Sequence, residues 1–313
     1  MAALRLDESA SGVFAIAVTP FAEDGALDLD SATRMVDFYI GCGVSGITIL
    51  GVMGEAPKLT PEDSLAVASR VIAAADGRVP IVVGVSSPGL APMRALTGAV
   101  MDLGAAGVMV APAAGLNTDE KIEGYFHAVC EALGDTPIAL QDYPPSSGVH
   151  FSTALLNRLF DDLPTLKVLK HEDWPGLRKL SQFRAAETRR VSVLVGNGGL
   201  FLPLELARGA DGAMTGFAYP EMLVQVCEMH AAGEHDRAED LFDAYLPLIR
   251  YEQQVGIGLA IRKETLRRRG VIATAATRAP GPKLDTDDHA ELDRLIARLD
   301  RRLDALGIAR KNV

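Results

Sequence analysis

The sequence predicts a (β/α)8 TIM barrel carrying a C-terminal helical appendage. Three observations support this: eight short apolar runs recur along the chain, helical stretches separate them, and no ninth run follows the eighth. The runs begin near Val13 (VFAIAV), Gly46 (GITIL), Pro80 (PIVVGV), Gly107 (GVMVA), Pro137 (PIALQD), Leu166 (LKVLK), Val191 (VSVLVG) and Gly212 (GAMTG). Their spacing, roughly 20 to 35 residues, is the interval one βα unit needs. Runs apolar on both faces suit parallel strands buried between helices and a barrel interior. A doubly wound open sheet competes, but eight successive units favour closure.

The segments between the runs have helical signals. Thr60-Pro61-Glu62-Asp63 offers a capping hydroxyl, a proline at the first helical position and acids in the first turn. Leu65, Ala68, Ile72 and Ala75 then recur at helical spacing and predict one buried face. Beyond Pro220, the segments 221–231, 237–269 and 287–306 read as helices, with Pro280-Gly281-Pro282 as a surface connection. The expected division is a barrel over 1–232 and packed C-terminal helices over 233–313, as one structural unit.

Composition narrows the function classes. The 313 residues are 48% hydrophobic and 23% charged, as expected of a soluble protein with a large core. A net charge of −10, with no like-charge block longer than Arg267–Arg269, disfavours nucleic acid and anionic membranes as partners. No apolar run approaches the ~18 residues of a membrane span, and the opening MAALRLDESASG lacks the apolar stretch of a secretory signal. Cys42, Cys130 and Cys227 are far apart and form no CxxC, so they read as small apolar fillers in a reducing cytoplasm.

In a barrel of this kind the chemistry lies at the C-terminal ends of the strands. Of eight lysines, only Lys167 and Lys170 fall on a predicted strand, and Lys170 ends it. Alternation puts Leu166, Val168 and Lys170 on one face and Lys167 on the other. If the first set faces inward, Lys170 enters the barrel mouth from an apolar wall. Such a wall makes a neutral amine available to attack a ketone. Position alone equally allows an exposed lysine at a strand end.

Several motifs in order resemble the dihydrodipicolinate synthase / N-acetylneuraminate lyase family over nearly the whole chain. GVFAIAVTPFAEDGALD resembles its first strand and loop, and Ile49 to Asp63 its second strand, Gly-rich turn and helix. LKVLKHED resembles the strand bearing its Schiff-base lysine, which aligns with Lys170, and GLAIRKETLRRRGV also has a counterpart. The resemblance implies that an amine condenses with pyruvate or another 2-oxo acid. The protonated imine then serves as the electron sink for making or breaking the adjacent C–C bond. A dehydratase variant would expel water from a 3-deoxy-2-oxo sugar acid. No cofactor and no metal is expected, and a homotetramer or dimer is.

The chain departs from that family's pattern around the lysine. The turn usually written GTTGE is Gly51-Val52-Met53-Gly54-Glu55, so Val52, Met53 and Gly54 offer backbone amides to a carboxylate but no hydroxyl relay. The family's catalytic tyrosine aligns with Gln141; Tyr143, two residues on, shares its face. Either Tyr143 supplies the phenol from a shifted position or Gln141 merely holds substrate. Ser146 replaces the arginine that recognises the synthase's second substrate, and Ala113-Ala114-Gly115 stand where paired tyrosines are usual. A different second substrate follows. Gly196 and Asn197 after the seventh run, and Met214 and Thr215 in the eighth, are expected to line the substrate chain. Glu172 or Asp173 reads as a helix N-terminal acid, His171 as packing behind the site, and Glu55 as a brace for its turn. A metal-dependent aldolase and a catalytically impaired 2-oxo-acid-binding barrel are the competing functions.

Overall fold

In the computed structural model, which describes residues 4–308, the eight strands close on themselves in chain order, every pair parallel. They are β1 (Gly12–Ile16), β2 (Gly46–Ile49), β3 (Ile81–Gly84), β4 (Gly107–Val110), β5 (Ile138–Asp142), β6 (Leu166–His171), β7 (Ser192–Val195) and β8 (Gly212–Thr215). Each starts within one residue of its predicted run. The first helices are α1 (Leu29–Cys42), α2 (Pro61–Ala75), α3 (Leu90–Asp102), α4 (Asp119–Leu133), α5 (Pro144–Ser147) and α6 (Thr153–Asp162). The rest are α7 (Gly176–Ala185), α8 (Leu202–Leu206), α9 (Pro220–Ala231), α10 (His235–Glu252), α11 (Gly258–Arg268) and α12 (Thr286–Leu306).

Strand alternation sorts the apolar residues into two layers. Phe14, Ile16, Val82, Met109, Ala139, Val168, Leu194 and Met214 plug the interior, with Leu6 of the N-terminal segment packed against them. Their neighbours, such as Val13, Ile47, Val83, Val108, Leu140 and Val193, join the outer core under the helices. The plug fills the barrel beneath the strand ends, so only residues above it can meet a ligand.

A bulge corrects the simple alternation expected for β6. Ile138 pairs with Leu166, but Ala139 pairs with Val168, so Lys167 is the extra residue. Leu166 therefore belongs to the outer core, while Val168 lies in the plug. Lys167 is held by Glu8 at 3.0 Å. From Val168 onward the pairing is regular and sets Lys170 beside Gln141.

Two helical expectations also change. Thr60 and Asp63 form a capping box on α2, but its buried residues are Ser64, Val67, Ala68, Val71 and Ala75. Leu65 is 40% exposed and Ile72 only partly buried. Ala68 and Ala75 are buried as expected, but the stretch from Leu65 to Ala75 is apolar almost all round, and packing turned Val67 and Val71 inward in place of Leu65 and Ile72. The helix expected over 237–269 breaks between Glu252 and Gly258, where Gly256 has φ 88°. That break folds over the strand ends.

Val71, wholly buried in α2, and Leu65, on its exposed face, test this assignment. Val71→Ala should lower unfolding free energy by about 1–3 kcal/mol through lost burial and a residual cavity. Leu65→Gln should change it by under about 0.5 kcal/mol. Chemical denaturation midpoints compare the two.

Candidate active site

Above the plug lies a cavity of about 270 Å³. β5 and β6 contribute Gln141 and Lys170, and the residues just beyond them contribute Tyr143 and Glu172. Val52 and Met53 come from the turn after β2, Asn197 from the turn after β7, and Thr215 from the end of β8. The break between α10 and α11 supplies Gln253, Gln254, Val255 and Gly256, and α11 itself supplies Arg262.

At its centre, Lys170 Nζ lies 2.9 Å from Glu172 Oε2, with both residues less than one-tenth exposed. Gln141 Nε2 donates to the same oxygen at 2.7 Å. The Asn197 amide reaches Oε1 at 3.4 Å, and the Asn197 side chain donates to the Glu172 carbonyl at 3.0 Å. The carboxylate fits because residue 196 is glycine: a Cβ there would stand 2.2 Å from Oε1. Tyr143 completes the wall, half-buried, its phenol pushed up by burial and by the nearby Glu172 charge.

A second ionic layer backs this wall. Lys179 Nζ bridges Asp142 at 2.7 Å and Asp173 at 2.8 Å. His171 places Nδ1 3.5 Å from Asp142 and Nε2 3.0 Å from the Gly176 carbonyl. Burial pulls the imidazole down, but Asp142 and that carbonyl outweigh it and raise its pKa. The residues alternate outward (Asp142, His171) and inward (Gln141, Lys170), so the network braces the strands without entering the cavity.

The turn after β2 is a single 3-10 turn, Val52–Gly54, entered through Leu50 at φ 55° and left through Glu55 at φ 56°. A non-glycine residue is rarely left-handed, so surrounding bonds must hold it. Glu55 supplies them, accepting from Lys263 at 2.6 Å, Lys58 at 2.8 Å and the Arg278 amide at 3.0 Å. The amides of Val52 and Met53 open the turn and have no carbonyl partner among the described residues.

Arg262 is the cavity's other buried cation, 2% exposed. Its Nε donates to Glu252, and Nη2 donates to the Gly216 carbonyl at 2.6 Å. Nη1 is buried without a hydrogen-bond partner. It packs against Gly216, where a Cβ would lie 2.1 Å away.

Of the residues singled out from sequence, Lys170, Tyr143, Val52, Met53, Gln141, Asn197 and Thr215 meet around this cavity. Three do not line it. Met214 is wholly buried in the interior plug, because alternation turns it inward one level below the mouth. The Gly54 carbonyl accepts from the Thr19 hydroxyl at 2.6 Å behind the turn. Gly196 backs Glu172. Glu172 and Asp173 are not helix N-terminal acids: α7 starts only at Gly176, and the carboxylates face Lys170 and Lys179. Parity would have found Glu172, which stands two residues after Lys170 and hence on its face. Nothing local in the sequence marks Arg262 or Glu252.

Comparison with known proteins gives a consistent picture. The sequence model of the Dihydrodipicolinate synthetase family matches residues 9–299. The chain is 32% identical over 294 residues to L-2-keto-3-deoxyarabonate dehydratase of Azospirillum brasilense, covering 92% of this chain and 94% of that protein. It is 28% identical over 242 residues to 4-hydroxy-tetrahydrodipicolinate synthase of Methanococcus maripaludis, covering 76% and 82%. Among solved structures, dihydrodipicolinate synthase from Rhodopseudomonas palustris superposes with a TM-score of 0.92 at 48% identity, covering 94% of this chain and 99% of that one.

Glu205 in α8 reports on burial near the site. It is 6% exposed, its Oε2 has no partner, and burial pushes its carboxyl up to about 7, with His171 opposing and Glu172 adding. The folded state thus keeps a proton that an unfolded glutamate releases near 4.5. Stability contributed by the neutral acid is present below 4.5 and lost as pH rises toward 7, on the order of a few kcal/mol. Glu205→Gln removes that loss. Its melting temperature should rise relative to the parent between pH 5 and pH 8; a constant difference would contradict the buried-acid assignment.

Proposed function

The chain belongs to the dihydrodipicolinate synthetase family, and we propose that it is a Schiff-base-forming lyase whose Lys170 condenses with pyruvate or another 2-oxo acid. The observation that carries this reading is the Lys170–Glu172 contact of 2.9 Å inside the cavity. A nucleophilic amine must surrender protons before it attacks and again as the carbinolamine loses water. A carboxylate on the same nitrogen provides a place for them.

In this reading the 2-oxo acid's carboxylate sits on the amides of Val52 and Met53, and its ketone carbon faces Lys170. Attack by the amine and loss of water give a protonated imine. Glu172 then takes a proton from C3, the C3–H electron pair forms the C2–C3 double bond as the C=N pair moves onto nitrogen, and the enamine adds to an electrophile or expels a leaving group. Tyr143 supplies the phenol that protonates the departing or newly formed oxygen. Gln141, in the place of the family's catalytic tyrosine, orients Glu172 through its 2.7 Å bond. Ser146, in the place of the synthase arginine, is exposed and donates to the Tyr143 carbonyl at 3.2 Å. That favours a second substrate other than the synthase's.

The similarity to L-2-keto-3-deoxyarabonate dehydratase, which spans 92% of the chain, favours one specific form. There the enamine would expel the C4 hydroxyl of a 3-deoxy-2-oxo sugar acid as water, with Tyr143 giving the proton. We further propose a cytoplasmic homo-oligomer. Free cysteines Cys42, Cys130 and Cys227 suit a reducing setting, and Trp174 and Leu204 expose 47% and 48% of their surface beside Phe201. No helix among the described residues is long and apolar enough to cross a membrane.

Borohydride reduction in the presence of pyruvate should add mass to Lys170 and to no other residue; the absence of an adduct would overturn the Schiff-base reading. Glu172→Gln preserves the size and hydrogen bonding of the side chain but cannot take a proton. It should lower kcat by about 10²- to 10⁴-fold on a turned-over substrate. Tyr143→Phe should likewise lose activity, whereas near-normal turnover would assign the proton to another donor. Leu204→Glu should shift the sedimentation coefficient toward a smaller species if that face joins two copies.

A further inference from the structure

Arg262 is built into the cavity wall at some expense. A guanidinium 2% exposed is neutralised by Glu252 and capped by the Gly216 carbonyl, yet Nη1 is left with no acceptor among the described residues. A buried N–H without a partner costs about 1–3 kcal/mol, and a ligand oxygen reaching Nη1 from the cavity would remove that cost. Gly216 also lines the cavity, and its lack of a Cβ, which would stand 2.1 Å from Nη1, is what lets the guanidinium reach this point of the wall.

Charge decides which oxygen. The cavity holds two cations, Lys170 and Arg262, and two carboxylates, Glu172 and Glu252, paired one to one. The first carboxylate of a 2-oxo acid already adds one negative charge, and a protonated imine only keeps the charge that Lys170 had. A second carboxylate would stand near Glu172 and Glu252 with no cation of its own, which is costly where water is excluded. The remaining polar side chains of the wall, Gln141, Tyr143, Asn197, Thr215, Gln253 and Gln254, are uncharged hydrogen-bonding groups.

We propose that Arg262 is a specificity-determining residue that donates to a chain hydroxyl, so that the site selects hydroxylated 2-oxo monoacids over 2-oxo diacids. The inference rests on the Schiff-base reading of the same cavity and names its substrate class. Its test avoids imine chemistry by using five-carbon probes reduced at C2: 3-deoxypentonate, 2-hydroxypentanoate and 2-hydroxyglutarate. Calorimetry on the unaltered protein should rank 3-deoxypentonate at least about tenfold tighter than 2-hydroxypentanoate, one added donor bond being worth that much. 2-Hydroxyglutarate should bind weakest. Arg262→Met should erase the advantage of 3-deoxypentonate. Arg262→Met combined with Glu252→Gln, which leaves no unpaired buried charge, should do the same if the single variant folds poorly.

Equal affinities for 3-deoxypentonate and 2-hydroxypentanoate, or tightest binding of 2-hydroxyglutarate, would overturn the assignment. The borohydride experiment separates the two levels. A Lys170 adduct with a flat ranking sinks the hydroxyl contact alone, whereas the expected ranking without an adduct sinks only the imine.

Discussion

The contact on which the site depends is the buried pair of Lys170 and Glu172. Two charges at this depth lose most of their hydration, and each must recover it from fixed partners. The sequence around them serves that requirement. The bulge at Lys167 restores the register that places Lys170 beside Gln141. Gln141 and the Asn197 amide then donate to Glu172 as well, and glycine at 196 leaves room for the carboxylate. Removing either charge alone would strand the other, so the pair constrains three strands at once.

The same logic repeats outside the barrel wall. Asp142 is wholly buried and lies one residue from Gln141, so its side chain points outward. There it meets Lys179, which is shared with Asp173. One face of β5 and β6 turns Gln141 and Lys170 into the cavity, and the other carries a compensated ionic brace that fixes where the first face points. An apolar brace would pack as well, but it would not resist rotation of a strand end whose neighbours are charged.

How much of this was legible in the sequence follows the range of the interactions. Strand positions were visible because burial on both faces imposes continuous apolar runs; the same pattern put Lys170 at a strand end, and the resemblance of LKVLKHED to a known strand singled it out. Glu172 was equally within reach, two residues on and facing the same way, but HED reads locally as the start of a helix. Leu166 was misplaced because a bulge leaves no mark on an alternating pattern. The face of α2 was misread because its apolar residues encircle it, and only contact with the barrel decides which stripe is buried. Arg262 could not be found locally: IRKETLRRR reads as a solvated basic helix, whereas Arg262, Lys263 and Glu264 are each at most 3% exposed. Their partners, Glu252, Glu55 and Arg267 with Arg268, lie as far as 208 residues away.

The altered residues make sense together rather than singly. A glutamine in place of a tyrosine would, by itself, only remove a proton donor. Beside Glu172 it becomes an amide that donates to a carboxylate and fixes one lone pair of the oxygen that also faces the Lys170 nitrogen. Tyr143, on the same face two residues farther out, lines the same cavity as Arg262, which comes from a different part of the chain. In the proposed reaction, proton removal near the imine would fall to Glu172 and proton delivery farther along to Tyr143, two groups instead of one relay. A division of that kind suits elimination from an extended, hydroxylated chain, because the two protons move at different carbons.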